Sequence, residues 1–436
     1  MKQYLFEHAY TPNGWTKNLL VETDIFGQIT NQQSLDKFEH NSAEKREGYA
    51  LPSFVNAHSH AFQYEMIGLT ENMPIGSQGD DFWSWRSRMY DLALRIRPED
   101  MYEIAVALYT RMLKRGYGSV AEFHYLHHQP DGKPYENSAL MGEAIMAAAQ
   151  EAGIDLCLIP IWYAKGGFQT PPTEKQRRFL SSSHKEYLKL YQSTLYTAQK
   201  YDHCFVGMGI HSLRAVDPED IVSFFTEVPN DIPIHLHISE QEKEVEQSIE
   251  VLGMRPIEWL LSKIEPTENL HLVHATHMSE SECKQLAQSS ACVVICPSTE
   301  ANLGDGLFPL EQFHKHGGRW CIGTDSHIGL DPMLELQLLE YGQRLLHKRR
   351  NILCSQEGDE TGQILFQHTH HSSGTAVGAK RRGFHIGAPL SAVVYPDRYP
   401  ICSAEKEHRI SSLIFGGEPQ PPTGIQQRNQ WISSWE

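Results

Sequence analysis

The sequence predicts an α/β fold: a (β/α)8 barrel over residues 51–365, with a small β-sandwich domain assembled from residues 1–50 and 366–436. Three observations carry that expectation. Eight apolar, strand-like runs recur from residue 51 onward, stretches of helical period fill most of the gaps between them, and both ends of the chain read differently from the middle. Strands that alternate with helices imply a parallel sheet, and eight such units are what closure into a barrel requires.

Taken in order, residues 1–50 hold short alternating segments, QYLFEHA, KNLLVETD and GQITNQ, broken by Pro, Asn and Gly, which is the pattern of antiparallel strands. The barrel strands fall at SFVNAH, YGSVAEF, IDLCLIPIW, CFVGMGI, IPIHLHI, LHLVHAT, ACVVICP and RWCIGTD. Helices such as EDMYEIAVALYTRMLKRG and PMLELQLLEYGQRLLHKRR lie between strands. Beyond residue 365 the chain turns polar and rich in Gly and Pro. Its brief apolar pieces, SAVVYP and ISSLIFGG, are expected to rejoin the N-terminal strands in one sheet.

Bulk properties bound the function. With 436 residues, 40% of them hydrophobic, the chain can bury a large core. Its 38 Lys and Arg against 54 Asp and Glu leave a formal charge of −16, which argues against nucleic acid or an anionic membrane as partner. An anionic substrate would need a local basic pocket. The N-terminus has no apolar core after its lysine and no segment approaches the length of a membrane span, so a cytoplasmic protein is expected. Eight cysteines without a C-x-x-C read as small buried hydrophobes, and Cys292 and Cys296 on one strand would stand about 13 Å apart, too far for one zinc.

Active sites of such barrels form at the C-terminal ends of the strands. There the sequence places His58 and His60 on strand one, His211 on strand four, His237 on strand five, His274 on strand six and Asp325 on strand eight. Alternate residues of a strand share a face, so His58 and His60 can grip one ion. Three histidines and a carboxylate, His58, His60, His237 and Asp325, suit one divalent metal ion, Zn2+ or Fe2+, with an open position for water.

H-x-H on strand one, H-x-x-E after strand five, His on strand six and Asp on strand eight together resemble the amidohydrolase superfamily, in its deaminase branch with a single metal. More closely, NAHSHAFQ, FWSWRSRMY, AEFHYLHH with DGKPY, GIHSLRAV, HLHISEQ, LVHATH, CPSTEANLGDGLFP and IGTDSH resemble the formimidoylglutamate deiminase family, over residues 51 to about 350. The resemblance implies hydrolysis of N-formimino-L-glutamate to N-formyl-L-glutamate and ammonia in histidine degradation, with Zn2+ favoured and a homodimer expected. The metal supplies hydroxide at neutral pH. Glu240 would accept the water's proton and pass it to the departing nitrogen, while His274 and Asp325 orient the water and stabilise the tetrahedral intermediate. A dicarboxylate substrate asks for planar cationic forks, which Arg214 and Arg86 are placed to supply. Gln63, Tyr125 and His211 match the remaining polar positions of that family's pocket.

Two other readings stand beside this one. A deaminase of a purine-like or other cyclic substrate would not need two guanidinium groups, and a catalytically silent metal-binding homologue would be expected to have lost Glu240, His274 or Asp325. His368, His370 and His371 repeat the H-x-H spacing in a polar stretch without a nearby acid and are expected in a solvated loop. Asn302, Asp305 and Gly306 are expected to shape the loop after strand seven. The segment APLSAVVYPD and the tail NQWISSWE depart from the family pattern, and leave the completeness of the small domain open.

Overall fold

The computed structural model describes residues 1–73, 79–379, 382–398, 400–417 and 421–434. Four strands come first: β1 (Lys2–Thr11), β2 (Gly14–Thr23), β3 (Ile29–Ser34) and β4 (Glu44–Pro52). The barrel follows as β5 (Phe54–Ser59), β6 (Tyr117–His124), β7 (Asp155–Trp162), β8 (Cys204–Val206), β9 (Met208–Ser212), β10 (Ile234–Ile238), β11 (Leu270–His274), β12 (Cys292–Ile295) and β13 (Arg319–Ile322). All neighbours in it pair in parallel. The run CFVGMGI divides at Gly207, where a Cβ would lie 2.9 Å from the Pro233 carbonyl; β8 stays on β7 while β9 crosses to β10.

The barrel closes at its C-terminal end. Thr324 N and Asp325 N both donate to the His58 carbonyl, at 3.1 and 3.0 Å, and His60 N donates to the Asp325 carbonyl at 3.1 Å. Gly323 permits this approach, since a Cβ there would sit 2.8 Å from that of His58. Closure therefore brings the two outermost sequence motifs of the barrel, H-x-H and T-D, side by side.

Helices cover the outside. Pro98–Arg115 begins with proline and ends on Gly116 in the left-handed conformation, and buries Met101, Ile104, Leu108, Met112 and Leu113 against the sheet. Each such buried side chain contributes about 1.5–3 kcal/mol relative to exposure. Phe82–Ala93 lies in the long β5–β6 connection, capped by Asp81, which accepts from Trp83 N and Ser84 N.

The chain then returns to its beginning. β14 (Ser391–Tyr395) pairs antiparallel with β4, placing Val393 opposite Leu51, and β15 (Gly424–Gln427) and β16 (Gln430–Ser433) extend the sheet to the order β16-β15-β14-β4-β1-β2-β3. Its own core holds Tyr4, Phe6, Ala9, Val21, Leu390 and Ala392. The atypical SAVVY segment and the start of the Trp-containing tail thus complete this seven-stranded sheet; Trp435 lies outside the described residues.

Two expectations are corrected. The piece ISSLIFGG joins no sheet but forms the helix Arg409–Phe415, which buries Ile410, Leu413 and Ile414. The histidines at 368, 370 and 371 lie not in a loop but on the helix Thr361–Ser373, which runs past residue 365 and drives Leu365 and Phe366 into the barrel core. His368 stacks on Trp320 at 5.3 Å and His370 on Phe366 at 5.6 Å. Among the described residues no helix is long and apolar enough to cross a membrane.

Candidate active site

Three imidazoles meet a carboxylate where the barrel closes. His58 Nε2 lies 3.1 Å from His60 Nε2 and 3.0 Å from His237 Nε2, and Asp325 Oδ1 lies 3.1 Å from His60 Nε2 and 3.5 Å from His58 Nε2. All four residues are buried. The Nδ1–H of His60 donates to the Phe123 carbonyl and that of His237 to the His211 carbonyl, both at 2.9 Å. Those bonds turn the Nε2 lone pairs of His60 and His237 inward.

Burial, then His60, pushes His58 down to about 3, and burial, then His58, holds His237 well below its usual value. Burial would raise Asp325, but bonds to His58 and His60 outweigh it and hold the carboxyl well below the usual range. Three ring nitrogens and an anionic oxygen converge within 4.8 Å of one another, a donor set that a divalent cation meets all at once. A second close triplet, His274, Cys296 and Asp325, is poorer in donors because burial keeps the Cys296 thiol protonated.

Beside this cluster sits a buried relay. His274 Nε2 lies 3.6 Å from Glu240 Oε1 and 3.7 Å from Asp325 Oδ2, and its Nδ1 donates to Glu300 Oε1 at 3.2 Å. Burial alone would depress His274, but Glu240, Glu300 and Asp325 outweigh it and raise the ring to about 10. Burial raises Glu240, against the pull of His274 and Arg214. The backbone at Ser239, His274 and Asp325 is left-handed, with φ of 51°, 70° and 47°. Such conformations cost about 1–3 kcal/mol each and gather at functional sites; here they turn the chain sharply as it leaves β10, β11 and β13.

The anion-binding candidates lie on the neighbouring wall. Arg214 is buried, 3.4 Å from Glu244 Oε2 and 3.9 Å from Glu240 Oε2. Arg86 stacks over Trp83 at 4.4 Å, and Arg214 approaches the same ring at 5.8 Å. The stacking of Arg86 on Trp83 therefore coexists with a position near His211, whose ring burial, Arg214 and Arg86 all depress. Tyr125 stands 5.2 Å from the His60 ring and 5.4 Å from the His211 ring, and its hydroxyl accepts from Gln63 Nε2 at 2.9 Å. Gln63 Oε1 is buried without a hydrogen-bond partner among the described residues. The structure thus brings His58, His60, Gln63, Arg86, Tyr125, His211, Arg214, His237, Glu240, His274 and Asp325 to one end of the barrel.

Three residues that sequence reasoning passed over, and Trp83 with them, support this arrangement. Glu300, in CPSTEAN, anchors His274 and accepts from Cys296 N. Glu244 accepts from Ser239 N and Glu240 N and pairs with Arg214. Glu122, pushed up to about 7 by burial, accepts from Ser59 Oγ and Ala61 N at 2.5 Å each and so grips the residues on either side of His60. Trp83 organises the cations. A glutamate inside an apolar run, AEF, was the available signal for Glu122.

Parallel barrels with such a cluster at the strand ends form a class of metal-dependent hydrolases, and the amidohydrolase family model matches residues 49–385: the chain belongs to that family. It is similar to the formimidoylglutamate deiminase of Pseudomonas aeruginosa, 37% identical over 434 residues, which cover 99% of this chain and 94% of that protein. The chain is a hydrolase acting on C–N bonds. A crystal structure of an amidohydrolase from Brucella melitensis matches with a TM-score of 0.93 at 37% identity, over 99% of this chain and 94% of that one. An adenosine deaminase from Xanthomonas campestris with bound zinc shares the fold at 17% identity, with a TM-score of 0.79 over 98% and 92% of the two chains.

Proposed function

We propose that this protein hydrolyses N-formimino-L-glutamate to N-formyl-L-glutamate and ammonia, with one divalent ion, Zn2+, held by His58, His60, His237 and Asp325. The observation that carries the reading is the near full-length similarity to a formimidoylglutamate deiminase, together with Arg214 beside Glu240 and Arg86 on the Trp83 ring that Arg214 also approaches. A neutral heterocycle gives Arg86 and Arg214 nothing to bind. The bound ion supplies a water activated for attack at neutral pH.

The chain's own residues do the rest. Arg214 and Arg86 take the two carboxylates and set the formimino carbon toward the metal cluster. Glu240, whose affinity for a proton is raised by burial, accepts the proton of the attacking water and returns it to the departing nitrogen. His274, kept cationic by three carboxylates, holds the reacting oxygen by hydrogen bonding, and Glu300 fixes its orientation. Gln63, Tyr125 and His211 close the substrate pocket. We place the enzyme in the cytoplasm, in histidine catabolism, as a homodimer; light scattering that gives one chain's mass would overturn the last of these. The decisive assay is ammonia release from N-formimino-L-glutamate. Metal-replete protein that releases none, or that deaminates guanine instead, refutes the assignment.

A further inference from the structure

Three cations surround a single indole. Trp83 lies under Arg86 at 4.4 Å, Lys243 at 4.8 Å and Arg214 at 5.8 Å. In a chain of net charge −16 such a gathering needs a reason. Like charges repel, and an aromatic face returns only about 0.5–1 kcal/mol per exposed cation. Arg214 is balanced, since Glu244 pairs with it at 3.4 Å. Arg86 and Lys243 form no ion pair with any carboxylate among the described residues, although Lys243 stands on a helix that begins Glu242-Lys243-Glu244. Two uncompensated positive charges therefore share one ring at the edge of the site.

Resting on the dicarboxylate reading above, we infer that Lys243 and Trp83 are specificity residues, with Lys243 the third cation of the substrate clamp. The count of charges decides its role. Glu244 offsets the charge of Arg214, so two carboxylates held by Arg214 and Arg86 are matched in charge only if Lys243 stands beside them as well. Trp83 spaces the three groups and keeps Lys243, which is exposed on the solvent side, directed at the site rather than at the acids of its own helix. A substrate with one carboxylate leaves Lys243 without a partner. The pair thus selects for two carboxylates over one, and Lys243 meets the carboxylate nearer the solvent.

The test reads binding, not turnover. Glutarate and butyrate are titrated calorimetrically into the zinc-loaded protein and into Lys243→Met, Lys243→Glu and Lys243→Arg. For an exposed cation the Met variant should bind glutarate roughly two- to fivefold more weakly at low salt, with a smaller loss at high salt. Charge reversal should square that factor, and the Arg variant should retain most of the affinity. Butyrate binding should be equal in all four proteins. Trp83→Leu should also weaken glutarate binding, whereas Trp83→Phe should restore most of it. If glutarate binds the unaltered protein and Lys243→Met equally well, Lys243 is no part of the clamp and the inference falls alone. If the unaltered protein does not prefer glutarate to butyrate, the dicarboxylate reading falls and this inference with it.

Discussion

Strands β10 and β11 each carry two histidines, and the two pairs lead different lives. Toward the start of the strands, His235 and His271 stack at 4.7 Å; toward the end, His237 and His274 stack at 5.5 Å. Both pairs are fully enclosed. The first pair meets no carboxylate among the described residues: His235 donates to the Ala376 carbonyl at 3.1 Å, His271 bonds the Asn269 carbonyl at 2.9 Å and the Thr375 hydroxyl at 3.1 Å, and burial pushes His235 down to about 4. In the second pair His237 faces the imidazoles of His58, His60 and His211, and His274 faces three carboxylates that raise it to about 10. Ring, strand and burial are shared; the partners decide whether a histidine is filler, ligand or proton carrier.

Substitutions within the two pairs should separate them, beginning with the largest effect. His237→Ala should lose the metal and all measurable ammonia release, whereas His235→Gln, whose amide can still donate to the Ala376 carbonyl, should keep stoichiometric metal by elemental analysis. Equal metal content in the two variants would erase the distinction. Next, Glu240→Gln keeps the shape of the relay but cannot accept a proton, so turnover should fall by roughly 10²- to 10⁴-fold with metal retained; near-normal turnover would leave His274 as the proton carrier.

Arg214→Met tests the balance of charge on the same end of the barrel. Metal content should not change, and loss of a desolvated arginine–carboxylate contact should cost about 2–5 kcal/mol in kcat/KM, mainly through KM. Glu244 would still accept from Ser239 N and Glu240 N, so the loop should hold.

The smallest effect belongs to the inert pair and shows in stability. His235 is depressed from 6.5 to about 4, so between those values the unfolded chain binds a proton that the folded chain refuses, and stability is lost as pH falls. A shift of that size corresponds to about 3 kcal/mol at most. His235→Gln should therefore lose less stability than the unaltered protein between pH 6.5 and 4.5 in denaturant titrations. Parallel pH profiles would show that His235 does not govern that slope.

Much of this was open to reading without a structure, because the information was local. The period of a strand puts His58 and His60 on one face, the end of an apolar run marks where a barrel strand meets its site, and H-x-x-E sets Glu240 one short turn beyond His237. The helix Thr361–Ser373 was less legible, since its polar histidines outnumber the buried apolar residues, Leu365 and Phe366. SAVVY reads as a short strand that rejoins the N-terminal ones, but which of them it meets, β4 some 340 residues earlier, is set only by the fold.

What the sequence determined by itself, then, is the period and order of the elements and the chemistry carried at each strand end. Tertiary structure alone decided which of those ends meet and what each side chain faces. Glu122 grips Ser59 from 63 residues away, Glu300 fixes His274 across 26, and Trp83 gathers Arg214 and Lys243 from two other elements. No sequence spacing encodes such contacts, because they arise only when closure of the barrel sets distant strand ends within a few ångströms of one another, where burial makes a partner's charge decisive.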